Sequence, residues 1–186
     1  MKATSSTITP ERRQRTRKQP MEPIQGLGGR VLVQVCLVVD DADRYAKRYS
    51  ELLGVPIPEV HITDGYSETE ATYHGEPTEA RARIYHWHFG NVGFELLQPL
   101  GPKSVWQDWL DEHGPSVHHI AFRVTDSHGV AHEFARHGYP VSQQGFYTGR
   151  LPNGGHTGMY TYLDTAKALG TTFELLESFD PDGEVR

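Results

Sequence analysis

The stretch SVHHIAFRV, residues 116–124, has the alternating pattern of a β-strand with one buried face. Successive side chains of a strand point to opposite sides, so Phe122 and Val124 fall on one face and His119 and Arg123 on the other. A histidine on the second face is a candidate metal ligand. The stretch therefore predicts a strand with one apolar face in the core and one polar face that carries function.

An earlier stretch, VQVCLVVDD at residues 33–41, repeats this pattern. When Val39 is aligned with Val124, Gln34 falls on His119. The chain thus offers a polar side chain at the same place on two similar strands.

A second repeated unit, Phe-Glu-Leu-Leu, occurs at residues 94–97 and 173–176. Each copy puts one carboxylate, Glu95 or Glu174, in the middle of an otherwise apolar strand. Together the two pairs of repeats divide the chain into two copies of one module. Each copy begins with a strand that carries a polar side chain and ends with a strand that carries a glutamate.

The composition is that of an ordinary globular protein. With 186 residues, 37% of them apolar and 23% charged, the chain is long enough for one compact domain or two small ones that share a core. No apolar run approaches the roughly 20 residues that span a bilayer. The single cysteine, Cys36, excludes an intrachain disulfide, fits a reducing cytoplasm and is interpreted as a small residue in a packed strand. We therefore expect a cytoplasmic protein with no membrane partner.

The formal net charge of −6 is unevenly distributed. Residues 1–20 sum to +5, so the remainder carries −11. An acidic body argues against nucleic acid as a partner. The basic segment has no apolar run behind it, so it is not a secretory signal. Its composition predicts a disordered tail over residues 1–28, with a docking or nucleic-acid-binding arm as the alternative.

Periodicity and turn residues predict the order of the elements. Ala42 to Leu53 carry apolar side chains at three- and four-residue spacing and predict a helix after the first strand. Residues 64–78 are polar and rich in turn formers, so we expect a mobile excursion there. The expected segments are a basic tail (1–28), a first βαβββ module (29–101), a connecting helix (102–115), a second βαβββ module (116–178) and a C-terminal tail (179–186). The predicted fold is α+β, with the two tandem βαβββ modules forming a curved mixed sheet around a central cavity.

These features resemble the vicinal oxygen chelate superfamily, which includes glyoxalase I, methylmalonyl-CoA epimerase, extradiol dioxygenases and bleomycin-resistance proteins. The resemblance rests on the repeated βαβββ pattern, on HHIAF at residues 118–122 and on the two Phe-Glu-Leu-Leu units. ELLQPLG at residues 95–101, followed by an amphipathic helix and VHHIAF at residues 117–122, looks most like the epimerase branch. The resemblance covers about residues 30–178 and implies the same fold.

The resemblance also implies a metal site. The family's ligand positions fall on Gln34, Glu95, His119 and Glu174; the first is usually His in the epimerases, and Gln also occurs there in glyoxalase I. Apolar neighbours on each strand independently point these four side chains away from the core. One imidazole, two carboxylates and one amide oxygen suit an octahedral divalent ion with two open positions, and Zn, Ni, Co, Mn and Mg remain possible. A polar pocket that holds no metal, as in the resistance-type binding proteins, is the alternative.

The implied chemistry is removal of a proton next to a metal-polarised carbonyl. We expect a metal-dependent epimerase, isomerase or lyase that acts on a small carbonyl acid or an acyl thioester, with glyoxalase I chemistry as a close variant. A metal-independent binding protein is the alternative. Glu174 is the first candidate base, and Glu79, which falls on the Glu of the epimerase pattern Glu-Gln-Gly-Val, is the second unless it is a solvated strand-end residue. The resemblance further implies a homodimer.

The strand predicted at residues 79–89 has two different faces. Its basic and aromatic face is predicted to line the cavity and to bind an anionic or aromatic substrate. That face consists of Arg81, Arg83, Tyr85 and Trp87. The other face, with His86 and His88, is predicted to point toward the helices.

Overall fold

The computed structural model describes residues 23–24, 27 and 32–179. The helices are α1 (Ala42–Leu53), α2 (Tyr66–Thr69), α3 (Val105–His113), α4 (Ser127–Arg136) and α5 (Ala166–Leu169). The strands are β1 (Leu32–Val38), β2 (His61–Ile62), β3 (Thr72–Tyr73), β4 (Glu76–Pro77), β5 (Arg81–Phe89), β6 (Val92–Leu100), β7 (Ser116–Arg123), β8 (Val141–Phe146), β9 (Gly158–Leu163) and β10 (Thr172–Ser178). None of the helices in this part of the chain is long and apolar enough to cross a bilayer.

Most of the two predicted tails, residues 1–28 and 179–186, lies outside the described residues. Ile24 and Leu27 are described, and they pack against the buried apolar cluster beneath α4. This part of the predicted tail therefore contacts the folded body.

The strands form one mixed sheet in the order β2-β5-β6-β1-β7-β10-β9-β8-β3-β4. β1 pairs in parallel with β6, and β7 pairs in parallel with β10. Antiparallel pairing of β1 with β7 joins the two halves. The order β1, α1, β2, β5, β6 is repeated by β7, α4, β8, β9, β10. The predicted α+β fold of two βαβββ modules in one curved sheet is confirmed.

Two aspartates at equivalent places in the modules begin the two long crossover helices. Asp41 accepts a hydrogen bond from the Arg44 backbone N–H at 3.0 Å, and Asp126 accepts one from the Gly129 backbone N–H at 2.8 Å. Each carboxylate satisfies a backbone donor that the first turn of a helix leaves unpaired. Both helices pack on the same side of the sheet, which we call the outer face, and the opposite side is the inner face.

The inner face is covered by α3, the connecting helix. Its Trp106 is 3% exposed and packs with residues of the inner face from both modules, including Cys36, Ala82, Leu97 and Tyr162. One large side chain therefore packs the strands of both halves together on the inner face.

The prediction of a mobile excursion at residues 64–78 is wrong, because this segment forms α2, β3 and β4. β3 pairs with the edge strand β8 of the other module, and the His74 backbone N–H donates to the Ser142 carbonyl at 2.7 Å. Such pairing between residues about 70 positions apart leaves no local signal in a polar sequence.

This segment also brings the two ends of the curled sheet together. The Thr63 backbone N–H donates to the Ala82 carbonyl of β5 at 3.0 Å, and the next residue, Asp64, donates its backbone N–H to Thr148 Oγ1 at 3.2 Å, just beyond β8. Two successive residues therefore contact opposite ends of the sheet, which curls around the inner face.

Candidate metal centre

The four predicted ligands lie on four adjacent strands. Glu95 is on β6, Gln34 on β1, His119 on β7 and Glu174 on β10, and these strands follow one another in the sheet. All four side chains are buried, with exposed fractions between 0% and 9%. On β10 the apolar neighbours Phe173 and Leu175 pack beneath α4 on the outer face. On β1 and β7 the pairing is irregular, and Val33 and His118 stay on the inner face beside the ligands. The structure thus brings the predicted ligand set together.

The set converges on one nitrogen, His119 Nε2. Glu174 Oε2 lies 3.1 Å from it, Gln34 Nε2 lies 3.3 Å from it and Glu95 Oε1 lies 3.8 Å from it. These contacts come from sequence positions up to 140 residues apart, so only the fold assembles them.

The second ring nitrogen of His119 is held by its neighbour. His118 Nδ1 lies 2.8 Å from His119 Nδ1, because a register shift in the pairing of β1 with β7 lets both rings reach the inner face. Burial, and then the nearby His119 and His113, keep the pKa of His118 well below its ordinary value, so this ring is neutral. His118 can then accept the Nδ1–H of His119, which directs His119 Nε2 toward the centre. The sequence analysis placed His118 in the core but did not identify this partner.

Burial dominates the pKa of Glu95, one of the two carboxyl groups of the centre. Burial raises the pKa of Glu95 to about 7, and Glu174 adds to the increase while His119 opposes it. Burial alone would lower the pKa of His119, but the Glu174 and Glu95 carboxylates outweigh it and raise this pKa. Without a cation, burial therefore favours the protonated form of Glu95, and ionisation of this carboxyl inside the centre is costly.

The residues present fit a divalent ion. Glu174 Oε2 is buried and has no hydrogen-bond partner of acceptable geometry, although it lies close to His119 Nε2. An unpaired buried carboxylate oxygen is costly, and a bound cation would satisfy it together with the other carboxylate, the imidazole and the amide. The donor set is mostly oxygen with one nitrogen. Such a set suits a divalent cation that keeps coordination positions open for water or substrate.

Cys36 belongs to the same cluster, which the sequence analysis missed. It is fully buried on β1, paired with Glu95 on one side and His119 on the other. The ligand atoms of these three residues all lie within 4.8 Å of one another, so they form a group that could hold a metal ion. The available signal was the spacing from Gln34, since residues two apart on a strand share a face.

The prediction that Arg81, Arg83, Tyr85 and Trp87 line the cavity is wrong. Tyr85 and Trp87 are buried with α1 on the outer face. Asp43 of α1 accepts hydrogen bonds from the Tyr85 hydroxyl at 2.7 Å and from Arg83 Nη1 at 3.2 Å. The Trp87 indole donates to the Pro56 carbonyl at 3.1 Å, and Arg81 Nε donates to the Thr63 carbonyl at 3.0 Å. This face is structural, because it attaches α1 to the sheet.

The opposite face of β5, with His86, points inward. His86 pairs with Glu95 across β5 and β6, and paired residues of adjacent strands share a face. Its ring lies over Gly93, where an added Cβ would come within 2.0 Å of His86 Nε2. Burial, and then the neighbouring His88, lower the pKa of His86 to about 4. The face of β5 that carries His86 and His88 was predicted to point toward the helices; it lies away from α1, on the inner face that α3 covers, and His86 lines the same side of the sheet as the ligands.

Glu79, the second candidate base, is exposed. Its carboxylate accepts a hydrogen bond from the Tyr66 backbone N–H at 3.0 Å, at the beginning of α2. The neighbouring Ala80 and Ala82 belong to the cluster on the inner face. The structure thus gives Glu79 a capping contact and does not bring it into the buried group around His119.

The aromatic side chains near the centre come from the second module and from α3. The Tyr162 ring lies 4.9 Å from the His119 ring, and the Trp106 ring lies 6.0 Å from those of Tyr160 and Tyr162. Tyr147 has a buried hydroxyl without a hydrogen-bond partner. Burial, followed by the charge of Glu174, raises its pKa well above the ordinary value. The sequence analysis missed these residues; the tyrosines two apart on β9 were the only signal.

Comparisons with known proteins agree with this architecture. A family model described as the Glyoxalase/Bleomycin resistance protein/Dioxygenase superfamily matches residues 33–158. No curated protein matches the chain.

Among solved structures, methylmalonyl-CoA epimerase from Mycobacterium tuberculosis is 21% identical, with a TM-score of 0.52 over 79% of this chain and 87% of that one. A variant of the Streptomyces coelicolor methylmalonyl-CoA epimerase, in complex with 2-nitronate-propionyl-CoA, is 20% identical, with a TM-score of 0.55 over 82% and 97%. A hypothetical protein from Bacillus halodurans C-125 is 18% identical, with a TM-score of 0.54 over 82% and 97%. At these identities the likeness shows a common fold. Because the family model spans most of the folded part, the chain belongs to the glyoxalase/bleomycin resistance protein/dioxygenase superfamily, also called the vicinal oxygen chelate superfamily.

Proposed function

We propose that this protein is a metal-dependent epimerase, isomerase or lyase of the glyoxalase type. The reaction is removal of a proton from a carbon next to a carbonyl group. The observation that carries the proposal is the convergence of Gln34, Glu95 and Glu174 on His119 Nε2, with one buried carboxylate oxygen left without a hydrogen-bond partner. Such a cluster is expensive to bury unless it binds a cation.

Gln34, Glu95, His119 and Glu174 would hold the ion. A divalent ion there supplies a Lewis acid that polarises a substrate carbonyl and makes the neighbouring C–H more acidic. His118 holds the His119 ring through the 2.8 Å contact between their Nδ1 atoms. Trp106 and the strands around it exclude water from the centre, so that charges there are weakly screened.

Glu174 is the proposed base. Its carboxylate is buried on the inner face, with Oε2 3.1 Å from His119 Nε2 but outside hydrogen-bond geometry, so one oxygen would accept a substrate proton while the other contacts the ion. Return of the proton to the opposite face of the same carbon by a second residue gives epimerisation, and return by Glu174 to the neighbouring carbon gives isomerisation.

The proposed substrate is a small carbonyl acid or an acyl thioester. The acyl-CoA analogue held by the Streptomyces coelicolor epimerase supports the thioester class. Two buried donors on the inner face without an acceptor, the Tyr147 hydroxyl and Gln143 Nε2, support a substrate with oxygen atoms.

Proton exchange in heavy water tests the function. The protein is loaded in turn with Zn, Ni, Co, Mn or Mg and incubated with a panel of carbonyl acids and acyl-CoA thioesters, and deuterium incorporation next to the carbonyl is followed by NMR. We expect exchange with at least one metal and its loss in Glu174→Gln. Glu177→Gln is the matched control, because Glu177 lies on the same strand and contacts the α4 N-terminus through Ser127.

Equal exchange in Glu174→Gln and the parent would contradict the assignment of the base. Absence of exchange with every metal and substrate, together with ligand binding that survives a chelator, would favour the metal-independent binding protein.

We also propose that the chain forms a homodimer in the cytoplasm. Leu52, Leu53 and Phe89 are 84%, 51% and 44% exposed, and the last two border an apolar groove of about 350 Å³ on the outer side of the sheet. Exposed apolar patches of this kind support an interface. The free buried thiol of Cys36 supports a reducing compartment. Light scattering measures the molar mass of the parent and of the Leu52→Asp/Phe89→Asp variant. We expect the parent to be a dimer and the variant to be a monomer.

A further inference from the structure

We propose that Cys36 supplies a sulfur ligand to the centre and thereby restricts it to thiophilic ions such as Zn²⁺ and Co²⁺ over Mg²⁺. This inference rests on the proposed function only in that both need a metal at the same cluster. It goes beyond that proposal because it selects the class of metal from a residue outside the four-ligand set.

Cys36 lies in the sheet between two of the proposed metal ligands. In the register of the sheet, Cys36 stands directly between Glu95 on β6 and His119 on β7. Side chains at paired positions of adjacent strands project from the same face about 5 Å apart. The thiol lies against the Glu95 carboxylate, and ligand atoms of all three residues fall within 4.8 Å of one another.

Two overlapping ligand groups therefore share Glu95 and His119. One is completed by Gln34 and Glu174, and the other by Cys36. Gln34 and Cys36 are two residues apart on β1, so both project onto the inner face. An ion bound between Glu95 and His119 is within reach of both groups.

A separate observation indicates that the cluster is built for a cation. Glu174 is 2% exposed, and its Oε2 atom points toward His119 Nε2 without a hydrogen-bond partner. Packing alone would not require a thiol beside this carboxylate pair. Cys36 also packs with Val38 and Ala82, a contact that alanine could largely replace.

The chemistry of the ligands then decides the metal. Oxygen ligands alone accept Mg²⁺ and Mn²⁺ as well as Zn²⁺, whereas a thiolate favours Zn²⁺ and other soft or borderline ions. Binding of the ion displaces the thiol proton to solvent, so that a metal–sulfur bond forms and a sulfur–hydrogen bond breaks. A sulfur ligand would also take a coordination position that water could otherwise occupy.

Absorption spectroscopy of the cobalt-substituted protein tests the inference. Metal-free protein is titrated with Co²⁺, which gives visible bands when bound and an additional near-ultraviolet thiolate-to-cobalt band only when sulfur is a ligand. Cys36 is the only cysteine among the 186 residues, so a thiolate band in the parent can come from no other side chain of the chain. We expect both features in the parent and loss of the near-ultraviolet band, with retained visible bands, in Cys36→Ala.

The outcomes separate this inference from the proposed function. Visible bands without a thiolate band in the parent would overturn the role of Cys36 and leave the four-ligand centre intact. Failure of the folded parent to bind Co²⁺ would overturn both. Displacement of bound Co²⁺ by Mg²⁺ at similar concentration would contradict the selectivity. Since the parent spectrum alone decides ligation, the test does not depend on the folding of the variant.

Discussion

Replacing Glu95 by glutamine should stabilise the metal-free protein at alkaline pH. In the absence of a cation, Glu95 is a buried carboxylate beside a second one, Glu174, and its pKa is raised to about 7 from an ordinary value of 4.5. Folding therefore favours the protonated carboxyl. Glutamine keeps the shape and removes the ionisation.

The size of the effect follows from the shift in pKa. A difference of about 2.5 pKa units corresponds to about 3 kcal/mol of unfolding free energy once the group is ionised in both states. Because the folded-state pKa is the higher one, this stability is fully present below pH 4.5 and is lost as the pH rises through about 7. For a chain of this size, about 3 kcal/mol corresponds to roughly 6–12 °C in Tm.

The assay is thermal unfolding of chelator-treated parent and Glu95→Gln at several pH values between 5 and 8. We expect nearly equal Tm values at pH 5 and a Tm for the variant that is higher by roughly 6–12 °C at pH 8. Adding the metal should reverse the order at pH 8, because the carboxylate then has a cation to bind and the amide is a weaker ligand. A lower Tm for metal-free Glu95→Gln at pH 8 would refute the view that this carboxylate is destabilising without a metal.

Three further predictions test individual residues. His118→Phe keeps a ring in the core but removes the acceptor that orients His119. Metal affinity, measured by competition with a chelator, should therefore fall by roughly 10–100-fold. An unchanged affinity would contradict the orienting role of His118. Glu79→Gln should exchange protons at close to the parent rate, because its carboxylate is exposed and caps α2; a loss as large as that of Glu174→Gln would identify it as a base. Tyr85→Phe should lower the free energy of unfolding by about 1 kcal/mol through loss of the hydrogen bond to Asp43, with metal and substrate binding unchanged. Weaker substrate binding in this variant would indicate that the outer face of β5 does contact the substrate.

Alternation along single strands was sufficient to predict which side chains share the inner face, whereas the proposal that they are ligands came from the family resemblance. Glu95 and Glu174 each interrupt an apolar strand, and His119 alternates with apolar residues that face a helix. A strand of period two leaves only one face for such a polar group once the other is buried, so the local sequence carries the information. The repeat between the two modules then predicts that the four strands lie side by side.

The orientation of β5 could not be predicted in the same way. Both of its faces carry large side chains, Arg83, Tyr85 and Trp87 on one and Ile84, His86 and His88 on the other. Only the pairing of His86 with Glu95 decides which face joins the ligands, and a shift of one residue in that register reverses the answer.

The remaining errors concern contacts between distant segments. The segment at residues 64–78 is polar, and its order depends on pairing with β8 in the other module. Cys36 is unremarkable within β1 and becomes a candidate ligand only when β6 and β7 bring Glu95 and His119 to either side of it. The pairing with β8 has no local pattern, and the spacing of Cys36 from Gln34 indicates only that the two share a face, not that Cys36 is a ligand.

Metal content is the measurement that tests the account most directly. The parent is purified without a metal-affinity step, soaked in Zn, Ni, Co and Mn in turn, dialysed and analysed for bound metal. It is compared with a folded Glu95→Ala/His119→Ala double variant and with His132→Ala/Glu133→Ala, a control with the same residue types on the exposed side of α4. We expect about one ion per chain in the parent and the control, and almost none in the ligand variant, because two of four ligands are missing. A folded parent that binds none of the four metals, or a ligand variant that binds as much as the parent, would contradict the metal centre.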